Sequence, residues 1–186
     1  MTLFETERTR VRLWRDDEAD RVFDTLSRWE VMQWLGEDPQ VLTEPGQAEK
    51  AIATWRRRNE EDPRYGTWAI EEKATGVTAG SLILYPLPNG DGEIEIGWHL
   101  HPDAWGRGLA SEPARALLVK AFDDGEAYGL DEVWALTHLT NSPSQSVCRR
   151  IGMTEMADVE GLWYAGESRI FCITRAAWLT KESTSG

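Results

Sequence analysis

The chain has 186 residues, 41% of them hydrophobic and 28% charged, with a net charge of -12. That length suits one domain with one core, and no apolar run reaches the roughly 20 residues a membrane helix needs. Without such a run no membrane partner is expected; the negative balance argues against a nucleic acid partner and suits an amine or other cationic substrate, although acidity serves solubility equally well.

The opening "MTLFETERTR" lacks the apolar stretch of a secretory signal, so a cytoplasmic location is expected. Only two cysteines occur, Cys148 and Cys172, with no Cys-x-x-Cys pair and no histidine at ligand spacing beside them. Neither a disulfide scaffold nor a metal site is expected.

In chain order, "VRLWR" at residues 11–15 alternates apolar and polar and predicts a first strand. Asp16 and Asp17 offer N-caps to a helix carrying Ala19, Val22, Phe23 and Leu26 on one face. A short helical piece, "EVMQWLG", stops at Gly36, and "LTEPGQAEKAIATWRRRNEE" predicts a longer helix with a stripe of Ala48, Ala51, Ile52 and Trp55. The period then switches to two. "TWAIEE", the turn "KATG" and "VTAGSLILYP" form a hairpin, and the turn "PNGDG" opens a third strand, "EIEIGWHL".

A glycine loop leads into a helix from about Leu109 to Phe122, and "DEVWALTHL" completes a βαβ unit. Ser142 as N-cap, Pro143 and Gln145 mark the start of the next helix, which stops at Gly152. "WYAGESRIFCITRAAW" gives a turn at Ala165-Gly166 and a last strand, and residues 181–186 are expected to fray. The order predicts a single α/β domain over residues 1–180, a mixed sheet covered by helices.

The loop Trp105-Gly106-Arg107-Gly108-Leu109-Ala110, running into Ser111 and a helix, has the form of an anion site. Amides at a helix N-terminus and the helix dipole attract negative charge, glycines let the chain approach it, and Arg107 is available for a phosphate oxygen. A P-loop would need a Gly-Lys-Ser/Thr ending, and no lysine stands near. A Rossmann fingerprint fits Gly106-x-Gly108-x-x-Ser111 only loosely, and the following strand ends in "LTHLTN" without the expected acid. A glycine turn that merely re-aims the chain is the third reading.

The runs "EIEIGWHLHPDAWGRGLASEPARALLVKAF" and "LTNSPSQSVCRRIGM" resemble the acyl-CoA-binding core of the GNAT superfamily of N-acyltransferases. With "TERTRVRLWRDDEADRVFDTLSRWEVMQWLG", the likeness is to its RimJ/RimL-like branch and spans residues 5 to about 175. Tryptophan stands at Trp105 where the superfamily loop has Arg or Gln. The resemblance implies a mostly antiparallel sheet of about six to seven strands, with a splayed pair holding acetyl-CoA. The backbone of Trp98, His99 and Leu100 would pair with the pantetheine arm, a bulge at Gly97 would help splay the strand, and Gly106 to Ser111 would hold the pyrophosphate. Asn141 and Ser144 match the family's Asn-x-x-Ser and would contact the CoA arm.

Acyl transfer to an amine needs a base, an oxyanion donor and a fate for the thiolate. Glu95 is the first candidate base, with Glu93 two residues earlier on the same face and His99 as the rival. His101 and His138 are read as structural. A backbone amide near Trp98 to Leu100 would serve the oxyanion. Many superfamily members carry an acid tyrosine where this chain has Cys148, which could protonate the thiolate or simply pack.

Acceptor recognition is expected from Trp29, Trp34, Trp163 and Tyr164, with acidic residues such as Glu93 at the mouth, although each aromatic also fits core packing. The functional expectation is therefore an N-acetyltransferase that moves acetyl from acetyl-CoA to a primary amine, on a protein N-terminus or a small molecule, in a ternary complex. A non-catalytic acyl-CoA-binding module is the alternative. A homodimer is compatible with this fold.

Overall fold

The computed structural model describes residues 1–123 and 128–184. Among these residues eight strands form one sheet in the order β1-β2-β3-β4-β5-β6-β8-β7. They are β1 (Thr2–Glu5), β2 (Thr9–Arg12), β3 (Gly66–Glu72), β4 (Thr78–Pro86), β5 (Ile94–Leu100), β6 (Glu132–Thr137), β7 (Thr154–Glu160) and β8 (Glu167–Thr174). Every neighbouring pair is antiparallel except β5 with β6. Among the described residues six α-helices accompany the sheet: α1 (Ala19–Leu26), α2 (Trp29–Met32), α3 (Pro45–Glu61), α4 (Ser111–Phe122), α5 (Ser142–Arg150) and α6 (Arg175–Thr184).

The strand count exceeds the six to seven expected, and the physical reason is the same for both additions. β1 and β7 are the outer edges of the sheet, and β7 is exposed along nearly its whole length. A strand with no buried face shows no apolar alternation to read. The first predicted strand lies earlier, at Thr9–Arg12, because its register is set by pairing Thr9 with Glu72 and Arg12 with Ala69.

The C-terminal segment differs as well. The last strand ends at Thr174, and "RAAW" opens α6 instead of extending the sheet. Trp178 is buried there, its ring 6.0 Å from Phe122 and 5.0 Å from the Arg115 guanidinium. Helix continues to Thr184 where a frayed tail was expected; residues 185–186 of that tail lie outside the described residues.

Two packing layers flank the sheet. Ile94, Ile96 and Leu100 of β5 join Ala114, Leu117, Leu118 and Ala121 of α4 in the main core, together with Cys148 and Ile151 near α5. Val22, Leu26, Ala48 and Ile52 of α1 and α3 pack with Trp14 and Ala69 in a second cluster on the other face. Since successive strand residues point to opposite faces, Glu95, Gly97 and His99 are directed to the α1–α3 side.

Buried charge anchors α1 to the sheet. Arg12 donates to Glu18 at 2.7 Å and to Glu71 at 2.8–2.9 Å, and Thr78 bonds Glu18. Asp16 and Asp17 do not cap α1 as expected; with Glu18 they form a single 3-10 turn ahead of it, and Glu18 accepts from the Arg15 amide at 2.8 Å.

Candidate active site

The site is built where the sheet opens. β4 and β5 pair without interruption from Pro86↔Ile94 to Gly80↔Leu100, with Gly97 opposite Ile83. The bulge expected at Gly97 is therefore absent. The splay comes instead from β6, which registers with β5 at one position, Glu95↔Trp134. Beyond that point the edge of β5 from Ile96 to Leu100 has no strand beside it among the described pairings. An edge of this kind offers amide and carbonyl groups to an extended ligand arm, as an added strand would use them. Trp98 is half-buried on the core side of this edge. The Leu100 carbonyl is already engaged, accepting from the Trp105 indole at 2.9 Å.

At the open end stands the glycine loop. Gly106 and Gly108 have φ of +70° and +76°, the left-handed region that glycine enters without strain. Leu109 and Ala110 are buried and pin the loop to the core, so α4 begins in a fixed position. Ala110 is the N-cap and makes no side-chain capping bond, which leaves the first-turn amides without the usual side-chain acceptor. Uncapped amides, the helix dipole and close backbone approach together fit a diphosphate.

The cations of this loop are not arranged as expected. Arg107 pairs with Glu72. Arg8, from the turn before β2, instead reaches over the loop: it donates to the Arg107 carbonyl at 2.8 Å and to Glu112 at 2.6 Å, and its Nη2 lies 3.1 Å from where a Gly108 side chain would begin. Arg150 donates to Ser111 Oγ at 3.0 Å from the end of α5. Nothing in the local sequence pointed to Arg8 or Arg150, because both reach the loop only through the fold.

Asn141, not Ser142, caps α5: its side-chain oxygen accepts from the Ser144 amide at 3.2 Å. Gln145, expected to help start the helix from its third position, instead donates to the carbonyls of Leu139 at 2.9 Å and His138 at 3.3 Å. Asn141 and Ser144 are thus joined to each other at the end of β6 that faces the splay.

On the α1–α3 side, Glu95 is the centre of a small assembly. Its carboxylate accepts from the Tyr164 hydroxyl at 2.7 Å and from the Leu136 amide, while burial pushes its pKa up to about 7. His99, four residues on along the same face of β5, moves the opposite way: burial pushes its pKa down to about 4, and its Nδ1 has no partner among the described residues. Cys148 is fully buried in the main core, and that burial pushes its thiol up to about 12.

The aromatic residues divide. Trp163 is buried edge-on against Trp134, centroids 5.3 Å apart, and Trp34 lies 5.6 Å from the His138 ring. Of the three, Tyr164 reaches Glu95 directly, while Trp163 packs beside it on Trp134, whose position registers with Glu95, and Trp34 lies against His138 just past the end of β6. Trp29 is instead exposed at the start of α2, and Glu93 turns back to accept from the Asp91 amide at 2.6 Å, closing the β4–β5 turn. Neither is brought to Glu95. Among the described residues there is no cluster of His, Cys, Asp and Glu suited to a metal ion, and no helix long and apolar enough to cross a membrane. His101 bonds Asp24 at 3.0 Å and braces α1, in keeping with a structural role.

The model for an acetyltransferase (GNAT) domain matches residues 8–154. The uncharacterized N-acetyltransferase YoaA of Bacillus subtilis is 27% identical over 150 residues, 81% of each chain. A GNAT-family acetyltransferase of Bacillus anthracis superposes with a TM-score of 0.75 at 19% identity, over 95% of this chain and 99% of that one. RimL, a ribosomal L7/L12 alpha-N-protein acetyltransferase solved with coenzyme A, gives 0.75 at 15% identity over 94% and 98%, so the RimJ/RimL-like branch is represented among chains of this fold. The splayed strands, the glycine loop at an uncapped helix and the matching family model agree: the chain belongs to the GNAT acetyltransferase family and is an acyl-CoA-dependent acetyltransferase.

Proposed function

We propose that the protein acetylates a primary amine whose apolar part lies among Trp34, Trp163 and Tyr164, with Glu95 as the general base. The observation that carries this reading is Glu95 itself, a carboxylate at the mouth of the splay whose pKa is raised by burial to about 7. A base tuned near the working pH is both free to accept a proton and strong enough to draw one from an ammonium. His99, lowered to about 4, is the weaker base, so the role goes to Glu95.

The CoA diphosphate would rest on Gly106 to Ser111, with Arg8 and Arg107 beside it and Arg150 behind Ser111. The pantetheine arm would run along the free edge of β5 at Trp98 and His99, toward Asn141 and Ser144. Acetyl-CoA supplies the thioester. The amine nitrogen bonds to the thioester carbonyl carbon, the amine proton passes to Glu95, and the carbon–sulfur bond breaks with CoA leaving as its thiolate, which takes its proton from solvent. A β5 amide is suited to the developing oxyanion. Cys148 is assigned a packing role, because a fully buried thiol held protonated is poorly placed to exchange protons with a leaving group.

The test is free-CoA release from acetyl-CoA across small aromatic and aliphatic amines, polyamines and peptide N-termini, with a blank lacking acceptor. Acceptor-dependent release that Glu95→Gln lowers by about a hundredfold or more, with CoA affinity kept, supports the reading. Unchanged turnover in Glu95→Gln removes the base assignment.

A further inference from the structure

Three consecutive residues at the tip of the β7–β8 hairpin are each held by a different element. Trp163 packs edge-on against Trp134 of β6, the Tyr164 hydroxyl donates to Glu95 of β5 at 2.7 Å, and the Ala165 amide donates to Glu37 at 2.7 Å. Glu37 belongs to the segment between α2 and α3, whose Trp34 lies against His138 at the end of β6. The hairpin tip and this segment therefore meet over the acceptor side of the splay.

We infer that Tyr164 is a positioning residue for Glu95, and that Glu37 holds Tyr164 in place through the neighbouring amide. This inference rests on the reading of Glu95 as base. A hydroxyl donating to a carboxylate fixes which oxygen remains open and stabilises the charged form. Glu95 Oε2 is the oxygen bonded by Tyr164. The Tyr164 hydroxyl is itself pushed up, first by burial and then by Glu95, so it stays protonated and keeps donating.

The other groups facing Glu95 do not duplicate this. Tyr85 stands opposite on β4 with the Arg58 guanidinium of α3 5.7 Å from its ring, His99 lies four residues along β5 on the same face, and Cys148 of α5, in the core on the other face of the sheet, senses the Glu95 charge without touching it. Glu37 lies beyond Tyr164 and adds to its upward shift. The Leu136 amide is the second donor to the carboxylate, and it comes from backbone that substitution leaves in place.

The sign follows directly. The Tyr164 bond lowers the proton affinity that burial raises, so Tyr164→Phe moves Glu95 further up from about 7. The acid limb of kcat/KM then shifts to higher pH, by about one unit for a hydrogen bond to a charged group, and activity recovers toward the parent level in alkaline buffer. A purely structural or acceptor-wall role would lower activity equally at every pH.

The experiment measures kcat/KM against pH for the parent, Tyr164→Phe and Glu37→Ala, with CoA affinity and melting temperature alongside and Glu95→Gln as the reference. Expected are an upward shift of the acid limb in Tyr164→Phe, a smaller shift of the same sign in Glu37→Ala, and CoA affinity within about twofold of the parent. An unmoved limb in an active Tyr164→Phe enzyme overturns the inference while leaving Glu95 as base; full activity in Glu95→Gln overturns the base itself. If Tyr164→Phe does not fold, the parent labelled at the tyrosine ring Cζ answers the same question. One of the four tyrosine resonances should titrate near pH 7 and cease to do so in Glu95→Gln. No such titration would sink the inference.

Discussion

Arg8 and Glu112 stand 104 residues apart in the chain and are joined twice, Arg8 Nε to Glu112 Oε2 at 2.6 Å and the Arg8 amide to Oε1 at 2.8 Å. This fastens the turn before β2 to the first turn of α4 and places a guanidinium over Gly108, at the loop assigned to the CoA diphosphate. Arg8→Ala is therefore expected to raise the Kd for acetyl-CoA about tenfold, with kcat changed by less than about threefold, since it removes a ground-state contact. Calorimetric titration of CoA together with steady-state kinetics checks this.

Gly108→Ala tests the loop from the backbone side. A φ of +76° costs a non-glycine residue roughly 1–2 kcal/mol, and the new Cβ would lie 3.1 Å from Arg8 Nη2. Loss of CoA affinity together with a melting temperature lowered by only the few degrees this strain implies is the expected outcome. A lowered melting temperature with CoA affinity unchanged would make the loop structural only.

The pH dependence of kcat/KM should carry an acid limb near pH 7, because transfer needs Glu95 ionised and its pKa is held at about 7 by burial. Activity falls as pH drops through that value and is restored above it. His99→Gln should leave the limb where it is, since burial keeps His99 neutral down to about pH 4. A limb that disappears in His99→Gln would transfer the base role to the histidine.

Cys148→Ala is expected to keep turnover within about threefold and to lower stability by about 1–2 kcal/mol, the cost of a small cavity in a packed core. Native protein should resist iodoacetamide at Cys148, whose thiol is buried and pushed up to about 12, until it is unfolded. A large loss of kcat at unchanged melting temperature would restore the acid role.

Arg12→Leu should be among the more destabilising single changes, by about 3–5 kcal/mol, because it leaves the buried carboxylates of Glu18 and Glu71 without their shared cation. Burial opposes ionisation of Glu18, yet its bonds from Arg12, Thr78 and the Arg15 amide hold its pKa below the usual value. A depressed carboxylate contributes stability above its unfolded pKa and loses it as pH falls. Acid should therefore unfold the parent progressively below about pH 4, and chemical denaturation at several pH values measures it.

Much of the site was legible because its determinants are local. A glycine loop running into an alanine-rich helix, and a strand alternating Glu95, Gly97 and His99 on one face, are patterns of a few residues, and both stand where they were expected. The α5 start was nearly legible, with the cap one residue early at Asn141, because Asn and Ser cap equally well and a single sequence does not choose between them. Glu93 was misplaced by extending strand alternation one residue past Ile94, into a turn whose Asp91 amide recruits its carboxylate.

The sequence by itself determined the glycine loop, the amphipathic helices, the inner strands and the face on which Glu95 lies, since each follows from spacing within one element. Only the tertiary structure decided that Arg8 covers Gly108, that Arg107 turns to Glu72, that Tyr164 meets Glu95 and that Cys148 is sealed in the core. The physical reason is common to these: hydrogen bonds and burial depend on which distant segments the sheet order makes neighbours, and that order is set by packing over the whole chain.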